Sequence, residues 1–186
     1  QAKVSNYSTL TNAEKALQTA ILIGAIGELT LESGPAVTAA RNSYNGLNYR
    51  IRPLVKNYPD LQEAETIWNV INRIEMYKTK ITGTTGSKRN IKNTRKAYDA
   101  LSDEQKAKVI NYSVLLDEEA AVPVAIAIRG IGTVTAASES KIAAARSAYD
   151  ALSDGAKACV GNYQTLLDAE AALEEIWQKD TVTCWV

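Results

Sequence analysis

Residues 94–112 read TRKAYDALSDEQKAKVINY, and residues 145–163 read ARSAYDALSDGAKACVGNY; thirteen of the nineteen positions are identical. A chain that writes one polar-rich sentence twice either uses a site twice or repeats a folding unit. The longer period favours the folding unit. Arg-x-x-Tyr recurs at Arg41/Tyr44, Arg95/Tyr98 and Arg146/Tyr149, and Asn-Tyr recurs at Asn6-Tyr7, Asn57-Tyr58, Asn111-Tyr112 and Asn162-Tyr163. Arg and Asn are 16 residues apart in all three units, while successive Asn-Tyr pairs are 51, 54 and 51 apart. A three-residue variation is close to one helical turn, so a helix face stays in phase across it. The chain is expected to hold three full units, and to open inside the tail of an earlier one, because QAKVSNY at 1–7 matches KAKVINY at 106–112.

Each unit reads as three helices. Helix A is expected to start after Ser33, Ser87 or Ser138, each four residues before an apolar anchor (Val37, Ile91, Ile142) and each suited to an N-cap. Asn48, Ser102 and Ser153 are expected to cap a short helix B, with Ser102 and Gln105 forming a capping box. Asn-Tyr closes helix B, its Asn suited to a left-handed helix end. Pro59 marks the start of helix C, whose stripe is Leu61, Ala64, Ile67, Ile71 and Ile74 with Trp68 beside it. That helix is expected to run to about Tyr77, and Pro123 is expected to kink or restart its counterpart. The helix over 10–27 is apolar on more than one face, which predicts burial between units. The predicted class is all-α: a tandem array of three-helix-bundle repeats of about 51–54 residues joined by long shared helices. The expected divisions are 1–7 (remnant), 8–58, 59–112 and 113–163 (repeats), and 164–186 (final helix and non-repeat tail).

Arg41, Arg95 and Arg146 each precede a glutamate by 24 residues: Glu65, Glu119 and Glu170. We expect these pairs to clamp helix A to helix C. An acid–base or sugar-binding constellation is disfavoured, since it would have to work in three near-identical copies without histidine. Such a pair is weak evidence for net stability and more useful as a register device. The repeated Tyr supplies a large apolar body and one hydroxyl that needs a partner.

Composition excludes much. With 21 Lys+Arg, 21 Asp+Glu and no His, the chain has no net charge to attract nucleic acid or membrane. His-based catalysis, imidazole zinc sites and histidine pH switches are ruled out. No apolar run reaches the ~20 residues of a membrane helix. No nucleophile–base pair, phosphate-binding glycine loop or metal-ligand spacing is present, so an enzyme is not expected, and no cofactor or metal. Two cysteines are too few for a disulfide scaffold. Cys159 stands where the other units have Leu54 and Lys108, which suggests an accessible thiol. A Cys159–Cys184 disulfide and a strand-like end of the tail at 180–186 both stay open.

The pattern AR-x-AYDALSD-x-x-K-A-x-V-x-NY…AEA resembles helical repeats of large secreted or cell-wall proteins of Gram-positive Firmicutes. The match covers residues 1 to about 179 and is strongest in the second and third units; the first departs with NYRIRPL at 48–54. The resemblance implies a secreted or cell-wall-attached, extracellular location and an accessory role. Low cysteine use fits such exported proteins, which makes Cys159 and Cys184 unexpected. The expected function is an adhesin-like module that binds a host or surface protein, immunoglobulin being the specific partner suggested by analogy. A passive spacer presenting another domain is the alternative. Binding is expected where units differ: Tyr49, Arg50 and Arg52 in the first; Trp68, Arg73 and Tyr77 on its helix C; and Lys88 and Arg89 within the acid-free basic stretch 77–98. Tyr, Trp and Arg dominate protein interfaces, and the basic stretch suits an anionic cell-wall or host glycan. No nucleic-acid partner and no membrane insertion are expected.

Overall fold

The computed structural model describes residues 7–183, with side chains through residue 179. Among these the chain is all-helical: α1 (Tyr7–Gly24), α2 (Gly34–Gly46), α3 (Tyr58–Tyr77), α4 (Thr85–Asp99), α5 (Asp103–Ala107), α6 (Tyr112–Arg129), α7 (Glu139–Asp150), α8 (Asp154–Cys159) and α9 (Tyr163–Thr183), with 3₁₀ turns at Arg52–Leu54 and Ala136–Ser138. None of these helices is long and apolar enough to cross a membrane. Two compact units divide the chain, each discontinuous in sequence. The first takes the residues up to Asn72 together with Ala100–Ile110; the second takes Arg73–Asp99 and the residues from Asn111 onward. The division falls inside α3, so the compact units do not coincide with the sequence period.

The first core is built from α1, α2 and α3. Leu61, Ile67 and Ile71 lie at helical spacing on α3 and are at most 1% exposed. Ile23 of α1 and Val37 and Ala40 of α2 are buried too; α1 packs on α2, Ile23 and Ile67 line one cleft, and Arg41 joins α2 to Glu65 of α3. Isoleucines have modest helix propensity, so burial, at about 1.5–3 kcal/mol per side chain, is what stabilises this helix. Pro59 and Asp60 sit in its first turn, where a missing N–H and a negative charge are both tolerated. In the second unit Leu115, Ala121 and Ile128 of α6 and Leu166 of α9 play the same part, against Ile91 of α4 and Ile142 and Ala145 of α7.

Several sequence expectations are corrected. Ser33 and Ser138 stand where helix A begins, but their hydroxyls make no cap hydrogen bond, and Ser87 lies inside α4. Each serine pairs instead with the threonine three residues earlier. Ser33 Oγ accepts the Thr30 N–H at 2.8 Å, Ser138 Oγ accepts the Thr135 N–H at 3.1 Å, and the Ser87 N–H donates to Thr84 Oγ1 at 3.1 Å. Ser102 and Ser153 do cap α5 and α8, through the Gln105 and Ala156 N–H groups. Asn48 instead accepts the Arg50 N–H at 3.0 Å, and the first copy of helix B is only a 3₁₀ turn. Pro53 explains this: five residues into an α-helix it would lack its N–H and collide with the Tyr49 carbonyl. Pro123 neither ends nor restarts α6, which continues through it. Its ring is exposed, and buried Ala121, Val124 and Ala125 hold the turns on either side. The Asn of Asn-Tyr is not left-handed, since Thr79 is the one described non-glycine with positive φ. Its amide ties the chain instead to a long helix 37 residues earlier: Asn57 Nδ2 donates to the Ala20 carbonyl and Asn162 Nδ2 to the Ala125 carbonyl, both at 2.9 Å. Cys159 is 2% exposed and free, not accessible. Cys184 and the end of the tail lie outside the described residues.

Gly83 and Gly132 both have left-handed backbone, with φ of 69° and 66°. A Cβ on Gly132 would meet open space, whereas one on Gly83 would lie 2.2 Å from the Ala125 carbonyl oxygen. Gly132→Ala should therefore cost about 1 kcal/mol, the penalty for a left-handed residue. Gly83→Ala should cost at least ~2 kcal/mol more, because backbone has to move. Urea unfolding of the two variants checks the difference.

Candidate functional site

The repeated polar residues assemble into one constellation that occurs three times. On α2, Arg41 Nε donates to Glu65 Oε1 of α3 at 2.5 Å, its Nη2 donates to Oε2, and its Nη1 reaches the Tyr58 hydroxyl at 3.4 Å. Arg95 on α4 does the same to Glu119 (2.6 and 2.5 Å) and Tyr112 (3.3 Å) of α6. Arg146 on α7 does it to Glu170 (2.6 and 2.6 Å) and Tyr163 (3.2 Å) of α9. The Tyr three residues after each Arg stacks on the Tyr of Asn-Tyr: Tyr44–Tyr58, Tyr98–Tyr112 and Tyr149–Tyr163 have ring centroids 4.0, 4.3 and 4.2 Å apart. Each guanidinium lies 5.3–5.8 Å from both ring centres of its pair, within cation–π range. Hydrogen bonding to the glutamate, first, raises the pKa of each Arg above its ordinary value. Every fork is already filled by a carboxylate, so the constellation offers a ligand neither a free charge nor a free fork. It acts as a clamp.

Of the residues singled out for binding, Arg52 belongs to the scaffold. It donates to the Leu47 and Asn45 carbonyls (3.2 and 3.0 Å) at the end of α2 and lies 5.5 Å from the Tyr44 ring centre. Trp68 is a packing wedge: a Cβ on Gly34 would lie 2.5 Å from its Cζ2, and its Nε1 is buried without an acceptor. Tyr49 is 69% exposed, and Arg50 stacks on it while donating Nε to its hydroxyl at 2.8 Å. Arg73 and Tyr77 are half-buried in the second unit. Lys88 and Arg89 are exposed on α4 with Lys92 and Lys96, and among the described residues none of the four makes an ion pair. Tyr49 and Arg50 thus form one surface pair in the first unit, and α4 carries a basic face in the second. Among the described residues no three His, Cys, Asp or Glu side chains converge as a metal-ligand set.

Three features went unread in the sequence. Tyr7 and Glu14 on α1 repeat the eight-residue interval from Asn6, and so carry the acceptor half of a clamp. Both are exposed, and among the described residues Glu14 has no basic partner. The second is Glu118, which takes a place held by Ala64 and Ala169 in the other copies. It is fully buried, and neither carboxyl oxygen has a hydrogen-bond partner. Burial, with Glu75 and Glu119 adding repulsion, pushes its pKa up to about 8. The third is a cleft of about 680 Å³ in the first unit, between the end of α1, α3 and the end of α5. A cleft made by three distant segments leaves no local sequence signal, whereas Glu118 could have been flagged as the one acid at an alanine position.

Arg146→Met should destabilise by about 2–3 kcal/mol, since it strands the Glu170 carboxylate and removes its hydrogen bonds. Arg146→Met with Glu170→Leu should cost less than the two single changes summed, and a double-mutant cycle in urea measures that coupling.

Glu118 is protonated in the folded chain well above the pH at which it ionises when unfolded. Its contribution to stability is therefore fully present below about pH 4.5 and is lost as the pH rises through about 8. Glu118→Ala should match the parent near pH 4 and exceed it by about 2–3 kcal/mol near pH 9. Unfolding curves at the two pH values test the sign.

Comparison with family models, with curated proteins and with solved structures found no match to this chain.

Proposed function

We propose that the chain is a section of a tandem array of three-helix-bundle repeats on an extracellular bacterial surface, and that it binds a host or surface protein. The observation that carries the array is α1. Its Leu10 is 54% exposed, whereas the residues at the matching position, Leu61, Leu115 and Leu166, are fully buried beneath a clamped helix. Exposed Tyr7, Leu10 and Glu14 on one helix are what a stacking face looks like when no Arg-x-x-Tyr helix lies on it. Binding is supported by how the polar residues are divided. Those that repeat are engaged in clamps, and those left exposed differ between copies: Tyr49 and Arg50 in one, Lys88, Arg89, Lys92 and Lys96 in another. Aromatic–Arg pairs are favoured at protein interfaces. Immunoglobulin is a candidate partner by analogy with other helical modules of Gram-positive surfaces, and the basic face of α4 suits an acidic protein or an anionic glycan.

A spacer is the second reading, favoured because, among the described residues, no exposed set of side chains is common to all three copies. The immobilised chain, offered pooled immunoglobulin, serum proteins and cell-wall glycans at physiological salt, separates the two. Retention of one class, reduced by changes at Tyr49 and Arg50 or at Lys88 and Arg89, is the expected result. A folded, helical chain that retains nothing makes it a spacer.

A further inference from the structure

The turns after α1 and after α3 run between matching residues, Gly27 to Thr30 and Lys78 to Thr84, but the second is three residues longer. In the second unit the extra length dips into the protein as a strap. Thr79 takes a left-handed conformation (φ 67°), and Ile81 is then driven to 1% exposure. The strap forms a parallel bridge with the segment after α8. Its Ile81 N–H donates to the Cys159 carbonyl at 3.4 Å, and the Gly161 N–H donates to the Ile81 carbonyl at 2.8 Å. Cys159 is buried there.

The first unit has no such extra residues, and there the 680 Å³ cleft is open. Ile23, Ile26 and Ile67 give it apolar walls, and Glu28, Asp60 and Glu63 an acidic rim. Its far edge is Lys108–Val109–Ile110, the segment 51 residues before Cys159–Val160–Gly161. Among the described residues, neither the Lys108 carbonyl nor the Ile110 N–H has a backbone partner. These are the same two groups that hold the strap in the second unit.

We propose that this cleft receives an extended segment of a partner protein. One branched apolar side chain enters between Ile23 and Ile67, the backbone pairs in parallel with Lys108–Ile110, and a basic residue beside the apolar one faces the acidic rim. This deepens the protein-binding reading above and rests on it. The template is the chain's own strap, in which Lys80 precedes Ile81 and Lys78 lies two residues further back. Strand addition of this kind draws affinity from main-chain bonds and specificity from the pocketed side chain. The rim's acids outnumber its lysine. Lys108 Nζ pairs with Glu63 at 2.6 Å, but both side chains are well exposed, and a pair of that kind is readily displaced.

One difference between the units has to be met. Ile110 stands where the strap has Gly161, and a Cβ at Gly161 would lie 2.8 Å from the Thr79 carbonyl oxygen. That oxygen points there because Thr79 is bent left-handed to lead the strap out of α3. A separate peptide is not tethered to a helix and stays extended. The remaining approaches, 3.2 Å to the Ile81 nitrogen and 3.3 Å to the Lys80 carbonyl carbon, are relieved by a shift of a few tenths of an ångström.

The probe is a labelled peptide of strap sequence, YKTKITGT (residues 77–84), titrated into the whole chain and read by fluorescence anisotropy and by the Ile110 amide resonance. Saturable binding is expected, with movement of the Ile110 amide. Replacing the peptide's Ile by Asp, or N-methylating that Ile, should weaken binding about tenfold or more. Asp60→Lys with Glu63→Lys in the protein should do the same and leave helicity unchanged. The proposal is overturned if there is no saturable binding at about 1 mM peptide, or if binding is indifferent to the N-methyl group. A serum protein retained equally by the chain with and without Asp60→Lys and Glu63→Lys would preserve the protein-binding reading and overturn this one.

Discussion

The bidentate bond between an arginine on one helix and a glutamate on the next, with two stacked tyrosines beneath it, sets how every pair of clamped helices meets. The fork of a guanidinium fits a carboxylate in one plane and one spacing, so a helix slipped by a turn loses both bonds and leaves two charges without partners. The clamp's energy is modest, because its charged groups are roughly a quarter exposed and water screens them. Its value is selectivity. Leucine and isoleucine stripes are permissive about register, and a polar fork is not.

With register fixed at three points, the parts between them are free to change. Pro53 turns one copy of helix B into a 3₁₀ turn, and the chain compensates by laying Arg52 across the carbonyls that end α2. Three added residues after α3 become a strap that buries Ile81 instead of a bulge, because the Cys159 carbonyl and the Gly161 N–H are there to receive it. Glu118 replaces an alanine in the core of α6 and remains there as a neutral acid. Such changes are tolerated where they leave the three Arg–Glu clamps intact, since the clamps set how the paired helices meet.

The same logic separates surface from scaffold. Tyrosine and arginine usually signal binding, yet in this chain most of them are internal. Tyr44, Tyr58, Tyr98, Tyr112, Tyr149 and Tyr163 are paired in stacks, and Arg41, Arg95 and Arg146 are forked to glutamates. The features that the copies do not share lie outside the clamps: the Tyr49–Arg50 pair, the basic face of α4 and the cleft of the first unit.

The all-helical class, the long helix α3 and the spacing of Arg, Tyr and Glu were legible in the sequence, because helix periodicity and a 24-residue interval are properties of the chain alone. The threonines with which these serines pair were equally present, at Thr30, Thr84 and Thr135, but a serine nearer the apolar anchor looked the stronger signal; only the hydrogen bonds show that the pairing runs backward. Whether Cys159 is accessible, whether Trp68 is a wedge or an anchor, and where Asn57 and Asn162 send their amides depend on what lies across the fold. Cys159 is covered by residues 79–81, almost eighty positions away, and half-buried Trp68 lies against Gly34, whose missing side chain permits the close approach. Local sequence determines which backbone shape each segment prefers. Burial and pairing are settled between distant segments, and only their packing decides them.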